Sequence, residues 1–140
     1  IDEIETEANA LPLKGEERMA FVKTRVNQSV FRERLLKKYH ICCLCKVENQ
    51  ALLTASHIKP WAASSADEKL DAENGFLLCP NHNALFDGGF ISFDDDGKIM
   101  ISSRLSQVDC TFTNVIPTMK INLSEKNKEY LEYHRKKIFA

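Results

Sequence analysis

The stretch NGFLLCPNHNALFDGG, residues 74–89, changes character twice along its length. Gly75 to Cys79 is a short apolar run. From Pro80 the pattern turns helical, with proline at the first turn, where its missing N–H is tolerated, and Gly88-Gly89 as the stop. Two further features sit on that helix. Cys79 and His82 are separated by two residues, and Asn83 and Asp87 fall at i and i+4, on one helical face.

The first of these has a counterpart upstream. HICCLCKVENQ (40–50) holds Cys42-x-x-Cys45, a second chelating pair of the kind zinc uses, since two intervening residues let a tight turn aim both side chains at one tetrahedral ion. Cys43 is too close to Cys45 to chelate well and reads as packing, and Cys110 has no partner in sequence. Cys42, Cys45, Cys79 and His82 would close a structural zinc clip with no open position for chemistry, an advantage to a small domain.

Inside the clip lies ALLTASHIKPWA (51–62), read as a strand stopped by Pro60 and carrying His57. A histidine titrating near neutrality suits a general base. Asn83 and Asp87 offer oxygen ligands to a hard cation such as Mg²⁺, which keeps most of its waters. A histidine base opposite one such ion is a device for hydrolysing a phosphodiester.

Around this centre, residues 1–15 are acidic, hold Pro12 and Gly15, show no sustained period and read as a linker or tail. From Glu16 an apolar stripe of Met19, Val22, Val26 and Val30 predicts a helix. The stripe shifts to Phe31, Leu35 and Tyr39 after Asn27-Gln28-Ser29, which suggests a break with Ser29 as the cap of a second piece. Arg34, Lys37 and Lys38 lie off that stripe and fit either a solvated face or phosphate contact. Residues 62–74 read as loop and 104–118 as irregular. FISF, DDDG and KIMIS form a hairpin by their alternation, and Ser124 caps a last helix. The order is helix, cysteine turn, hairpin, loop, short helix, hairpin, helix, an α+β fold.

The 140 residues suit one domain with a modest core, at 44% hydrophobic and 28% charged. No run approaches the roughly 20 apolar residues that span a bilayer, and no signal peptide is evident. Five cysteines without an export signal do not read as a disulfide framework. The expectation is a cytoplasmic protein with no membrane partner. A net charge of −1 does not announce nucleic acid, although residues 23–39 and 134–137 are locally basic.

ASHIKPW, NGFLLC and HNALFDGGFISF together resemble the HNH nucleases, and more narrowly the branch that forms the cleavage domain of restriction-type endonucleases. The likeness extends to RVNQSVFRERLLKKY before the core and YLEYHRKKIF after it. It implies a ββα-metal core, about residues 39–103, within a nuclease domain of residues 16–140 flanked by N-terminal and C-terminal helices. By resemblance His57 is the general base, Asn74 orders the loop that holds it, and Asn83 and Asp87 bind the catalytic ion. That ion would be Mg²⁺, Mn²⁺ or Ni²⁺. Lys59, Arg34 and Lys38 are candidates for phosphate contact. The implied reaction is cleavage of DNA to a 5′-phosphate and a 3′-hydroxyl, with restriction as its setting, specificity supplied by an upstream domain, and pairing of two copies left open.

One departure and one competing register matter. Ser56 stands where some of these nucleases place a metal-binding Asp or His. A second register would make His82 a catalytic-metal ligand and leave the cysteines one partner short. The rival readings are a zinc-clipped DNA-binding or interaction module with a degenerate site, and a zinc-dependent hydrolase.

Overall fold

The computed structural model describes residues 2–140. Helix α1 (Asp2–Ala10) turns at residues 11–14 into α2 (Gly15–Tyr39), which leads to the cysteine loop. Strand β1 (Thr54–His57) is followed by the short helix α3 (Ala66–Leu70), β2 (Gly75–Leu78) and α4 (Pro80–Asp87). The hairpin β3 (Ile91–Phe93) and β4 (Ile99–Ile101) follows, then α5 (Gln107–Phe112) and α6 (Glu125–Lys137). This is the expected α+β arrangement of helices around two small sheets.

β1 and β2 pair antiparallel, with Ser56 opposite Phe76 and His57 opposite Gly75. Since strand side chains alternate, each pair faces one side of the sheet. The Ser56–Phe76 face looks toward α4 and β3, where the Phe76 ring meets Phe86 at 5.6 Å and Phe93 at 5.9 Å, both edge to face. The His57–Gly75 face looks toward α2. There a Cβ on Gly75 would stand 2.4 Å from the Phe31 ring and 2.9 Å from Leu35. Asn74-Gly75 is thus more than a turn: the glycine lets a buried strand approach a helix. All four residues of β2 are buried, because α2 covers one face and α4 with β3 the other.

Four sequence expectations need correction or extension. α2 is one helix without a break, and Ser29 is an exposed residue within it. The stripe shifts because the two halves of the helix serve different neighbours. The first half meets α1, with Met19 left 73% exposed, while Phe31 and Leu35 face the β1–β2 sheet. Residues 2–10, expected to lack regular structure, form α1, which buries Ile4 and Ala8. The stretch 62–74 contains α3, and 104–118 contains α5. Both short helices open on capping boxes, Ser65 with Glu68 and Ser106 with Asp109, which satisfy N–H groups that a helix start leaves unpaired.

Other expectations hold. Pro80 starts α4, the β3–β4 hairpin turns at Gly97 (φ +80°), and Ser124 caps α6. Gly89, at φ +74°, lies where a Cβ would meet the Ile138 carbonyl oxygen at 2.1 Å, so glycine there lets the chain end pack on the end of α4. Buried His134 joins the same parts: its ring stacks on Phe86 at 3.9 Å, and its nitrogens bond Ser92 Oγ and the Phe86 carbonyl, both at 2.8 Å.

Candidate functional site

The loop after α2 and the start of α4 bring Cys42, Cys45, Cys79 and His82 together, their donor atoms all within 4.8 Å of one another. His82 Nδ1 lies 3.3 Å from Cys79 Sγ and 3.8 Å from Cys42 Sγ. Ligand atoms around a tetrahedral zinc stand about 3.5–3.8 Å apart, given bonds of 2.0–2.3 Å, so the donor set and spacing fit that ion. The other ring nitrogen, Nε2, is 2.9 Å from the Asn114 carbonyl and donates to it. That bond leaves Nδ1 unprotonated toward the sulfurs, as a ligating histidine needs.

The thiols of the cluster differ in their electrostatics. Burial alone would raise the Cys42 thiol, but the contact with the His82 ring and hydrogen bonds from the N–H groups of Cys45, Cys79 and Leu44 outweigh it and bring Cys42 down to about 6. Cys43 is pushed up to about 12, chiefly by burial. Cys45, inside the cluster, is pushed up to about 12 as well, chiefly by burial, so it is position and not titration that sets Cys43 apart as a packing group. Asn114, at φ +57° just beyond α5, is a participant that sequence reading missed. Its contribution is a backbone carbonyl, which no residue pattern announces.

The second centre lies at the end of β1. A cavity of about 270 Å³ is lined by Thr54, Ser56, His57, Trp61, Asn83 and Asp87, among others. His57, Asn83 and Asp87 therefore share one cleft. The His57 ring stacks on Phe31 at 3.7 Å with planes 10° apart, and Trp61 meets it edge-on at 5.5 Å. Its Nε2 is 2.9 Å from the Lys69 carbonyl. A carbonyl can only accept, so Nε2 carries the proton and Nδ1 is the basic nitrogen. Nδ1 has no protein partner among the described residues and is not sealed from solvent. Burial lowers the His57 pKa, against the pull of the Lys69 carbonyl and with the help of the Lys69 charge.

Asn74 stands behind this cleft, fully buried. Its Oδ1 accepts from the Lys59 N–H at 2.8 Å, and its Nδ2 donates to the Glu68 carbonyl at 3.0 Å and Ser64 Oγ at 3.3 Å. One side chain thus ties both ends of the segment between His57 and Lys69. The residues beside it are held in turn: Asp71 accepts from Tyr130 at 2.7 Å and pairs with Lys126 at 2.7 Å. Glu73 pairs with Lys38 at 3.1 Å and accepts from Ser124.

The three cations named from sequence are all engaged within the fold. Lys59 pairs with Glu68 at 3.0 Å, Lys38 with Glu73, and Arg34 donates to the Leu70 carbonyl at 2.6 Å. Lys69, which sequence reading did not single out, lies 4.9 Å over the Trp61 ring beside the cleft. Ser56 is buried on the α4 side and brings a hydroxyl where a carboxylate or imidazole would bind metal better. An apolar cavity of about 580 Å³ against α5 shares no residue with this cleft.

No helix among the described residues is long and apolar enough to cross a membrane. A family model described as HNH endonuclease matches residues 42–94. Among solved structures, a chain titled "Modification dependent TagI restriction endonuclease" is similar at a TM-score of 0.52 and 20% identity. The match covers 76% of this chain and 36% of that one, so this chain spans about a third of its structural neighbour. No curated protein matches the chain.

Proposed function

From the premise that this chain carries an HNH endonuclease domain at residues 42–94, a metal-dependent nuclease module, we propose that it hydrolyses DNA with His57 as general base. The observation that carries the reading is the state of the His57 ring. Phe31 fixes its plane, the Lys69 carbonyl fixes its tautomer and leaves Nδ1 as the basic nitrogen, and the residue lines the cleft that Asn83 and Asp87 also line. A base so held takes a proton from one water along one direction, without first having to find its orientation.

Asn83 and Asp87 would hold the catalytic ion. An amide oxygen and a carboxylate one helical turn apart, in a solvent-open cleft, suit a hard cation that retains several waters. Bound there, a divalent ion such as Mg²⁺, Mn²⁺ or Ni²⁺ would stabilise charge on the scissile phosphate and the leaving oxygen. Asn74 is a positioning residue: it holds the segment whose Lys69 carbonyl orients the base. Cys42, Cys45, Cys79 and His82 would hold a structural zinc, which assigns His82 to the clip rather than to the catalytic ion. The products, by the family's chemistry, are a 5′-phosphate and a 3′-hydroxyl.

We place this reaction in the cytoplasm, in restriction of foreign or modified DNA. The similar solved chain is titled a restriction endonuclease, and nearly two thirds of it lies outside the match, which leaves room for a specificity domain. A second reading, a degenerate binding module, draws on Ser56, which offers a poor metal ligand at the cleft.

Nicking of supercoiled plasmid with added Mg²⁺ or Mn²⁺, compared between the wild type and His57→Ala, tests the choice. The expected outcome is metal-dependent nicking that falls about 10²–10⁴-fold in the variant. Equal nicking by both proteins would remove His57 from the chemistry.

A further inference from the structure

The first half of β1 looks across a second cleft, on the α2 side of the sheet. This cavity, about 360 Å³, is lined by Arg25, Gln28, Arg32, Thr54, His57 and Trp61, among others. It shares Thr54, Ala55, His57 and Trp61 with the cleft that Asn83 and Asp87 line, and adds Arg25, Gln28 and Arg32. Two arginines and a glutamine thus line the approach to the proposed base. Arg32 is anchored, donating to the Leu53 carbonyl and, at 2.8 Å, to that of Gln50. Arg25 is not anchored in that way. One of its terminal nitrogens bonds Gln28 Oε1 at 3.2 Å, and the other meets the Glu7 carboxylate at 3.2 Å.

Glu7 belongs to α1. A neighbouring cavity of about 290 Å³ is lined by Glu3 and Glu7 together with Arg25, Gln28 and Arg32, so the acidic helix lies along the same cationic edge. A guanidinium receives carboxylate and phosphate oxygens through the same fork of N–H donors. α1 is also lightly held: Ile4 and Ala8 are its buried residues among those described, and a helix of nine residues has little stability of its own. The Arg25–Glu7 pair is about half exposed on both sides, and exposed pairs contribute little.

We propose that the Arg25–Gln28 edge of this cleft holds a backbone phosphate of bound DNA next to His57, and that Glu7 of α1 occupies the phosphate's place until DNA displaces it. The proposal rests on the nuclease reading, because the phosphate it describes adjoins the proposed base. It adds a phosphate site on α2 and an electrostatic cover on α1. DNA then lies across the end of β1, over Arg25, His57 and the Asn83–Asp87 pair.

Fluorescence anisotropy of a labelled DNA duplex, titrated with the full chain over a range of salt and without added divalent ion, tests both parts. Arg25→Ala is expected to weaken binding about tenfold at low salt and to make the salt dependence shallower by about one. Arg25→Lys, which keeps the charge and loses the fork, should fall between. Glu7→Gln should tighten binding about twofold to fivefold. The double variant should bind like Arg25→Ala alone, because the gain from Glu7→Gln passes through Arg25.

Arg25→Ala binding as the wild type does, with the same salt slope, overturns the phosphate site. Glu7→Gln leaving affinity unchanged or lowering it overturns the cover. A folded wild-type chain that binds no DNA would instead sink the nuclease reading, so the two failures are distinguishable.

Discussion

The two polar centres of this molecule are built on opposite plans, although α4 serves both. The cysteine–histidine cluster is closed: four donor atoms converge within 4.8 Å, and the outer nitrogen of His82 is spent on a backbone carbonyl. The His57 cleft is open: one ring nitrogen is held and the other left free, beside two oxygen-bearing side chains on one helical face. A full donor set around zinc contributes binding free energy to folding. An incomplete set keeps room for water and substrate. α4 carries His82 toward the first centre and Asn83 with Asp87 toward the second, so the closed site fixes the helix that positions half of the open one.

The hardest way to break that comparison is to open the closed site. Cys79→Ser should abolish stoichiometric zinc, read by elemental analysis of the purified chain. It should lower the thermal midpoint by more than about 10 °C or leave no folded protein, since structural zinc supplies on the order of 10 kcal/mol. Cys43→Ser, one position outside the cluster, should retain full zinc. Equal zinc loss in both variants would mean that sequence spacing and three-dimensional convergence misidentify the ligands.

A smaller effect comes from loosening the open site without touching its reactive groups. Asn74→Ala removes the hydrogen bonds to Lys59, Ser64 and Glu68 and leaves the half-buried Lys59 N–H without its acceptor. The expected loss is about 2–3 kcal/mol in denaturant unfolding, with zinc content unchanged. Cleavage should fall further than stability explains at temperatures where the variant is fully folded, because the Lys69 carbonyl no longer orients His57. Cleavage that tracks the folded fraction alone would make Asn74 a purely structural residue.

How far these sites could be read in advance follows from what makes each. The four residues that converge in the cysteine–histidine cluster lie in two short local pairs, so spacing announced the cluster, and α4 was marked by Pro80 and the glycine pair. The open site was legible as residue types and not as contacts. His57 faces α2, away from the Ser56 face, because Phe31 stacks on it across many residues of chain, and no local period encodes that pairing. α1 was missed because its buried residues, among those described, are Ile4 and Ala8, too few for an apolar stripe. α3 and α5 were missed although Ser65-x-x-Glu68 and Ser106-x-x-Asp109 mark their starts, since each is shorter than two turns. Of the three basic residues drawn from the sequence, Lys59 and Lys38 are in ion pairs and Arg34 donates to a backbone carbonyl, because composition records a charge without its partner.

The pH dependence of cleavage sharpens the open site at a milder scale. Burial lowers the His57 pKa from the usual 6.5, so its ring stays unprotonated further into acid than a free imidazole would. With the plasmid assay at saturating metal, the rate should rise through a midpoint below 6.5 and level off above it. A rate that does not titrate in this range would count against His57 as the base, whereas a midpoint above 6.5 would mean that bound phosphate or Asp87 outweighs burial at the ring. Folding responds in the same direction through different groups. The Asp71 and Glu73 carboxyls are held below their usual values of 3.8 and 4.5, despite partial burial, by Lys126 with Tyr130 and by Ser124 with Lys38. Between the folded and unfolded pKa values the unfolded chain binds more protons, so this stabilisation is complete above about pH 4.5 and is lost as the pH falls through the folded values.

The smallest effect expected is at the cations that sequence reading favoured. Lys59 and Lys38 already face Glu68 and Glu73, which lie beside the segment that positions His57. A lysine so paired presents little net charge to a phosphate, and its removal takes a pair with it rather than a free cation. Lys59→Ala and Lys38→Ala should therefore change DNA affinity by less than about threefold at moderate salt, within the range of exposed and half-exposed pairs. Arg25, whose carboxylate partner sits on a lightly held helix, should differ from both by its larger effect and its shallower salt slope. If Lys59→Ala weakened binding as strongly as Arg25→Ala, the Glu68 pair would have to open on DNA. The segment between His57 and Asn74 would then move on binding, and the open site would be assembled by its substrate rather than held ready.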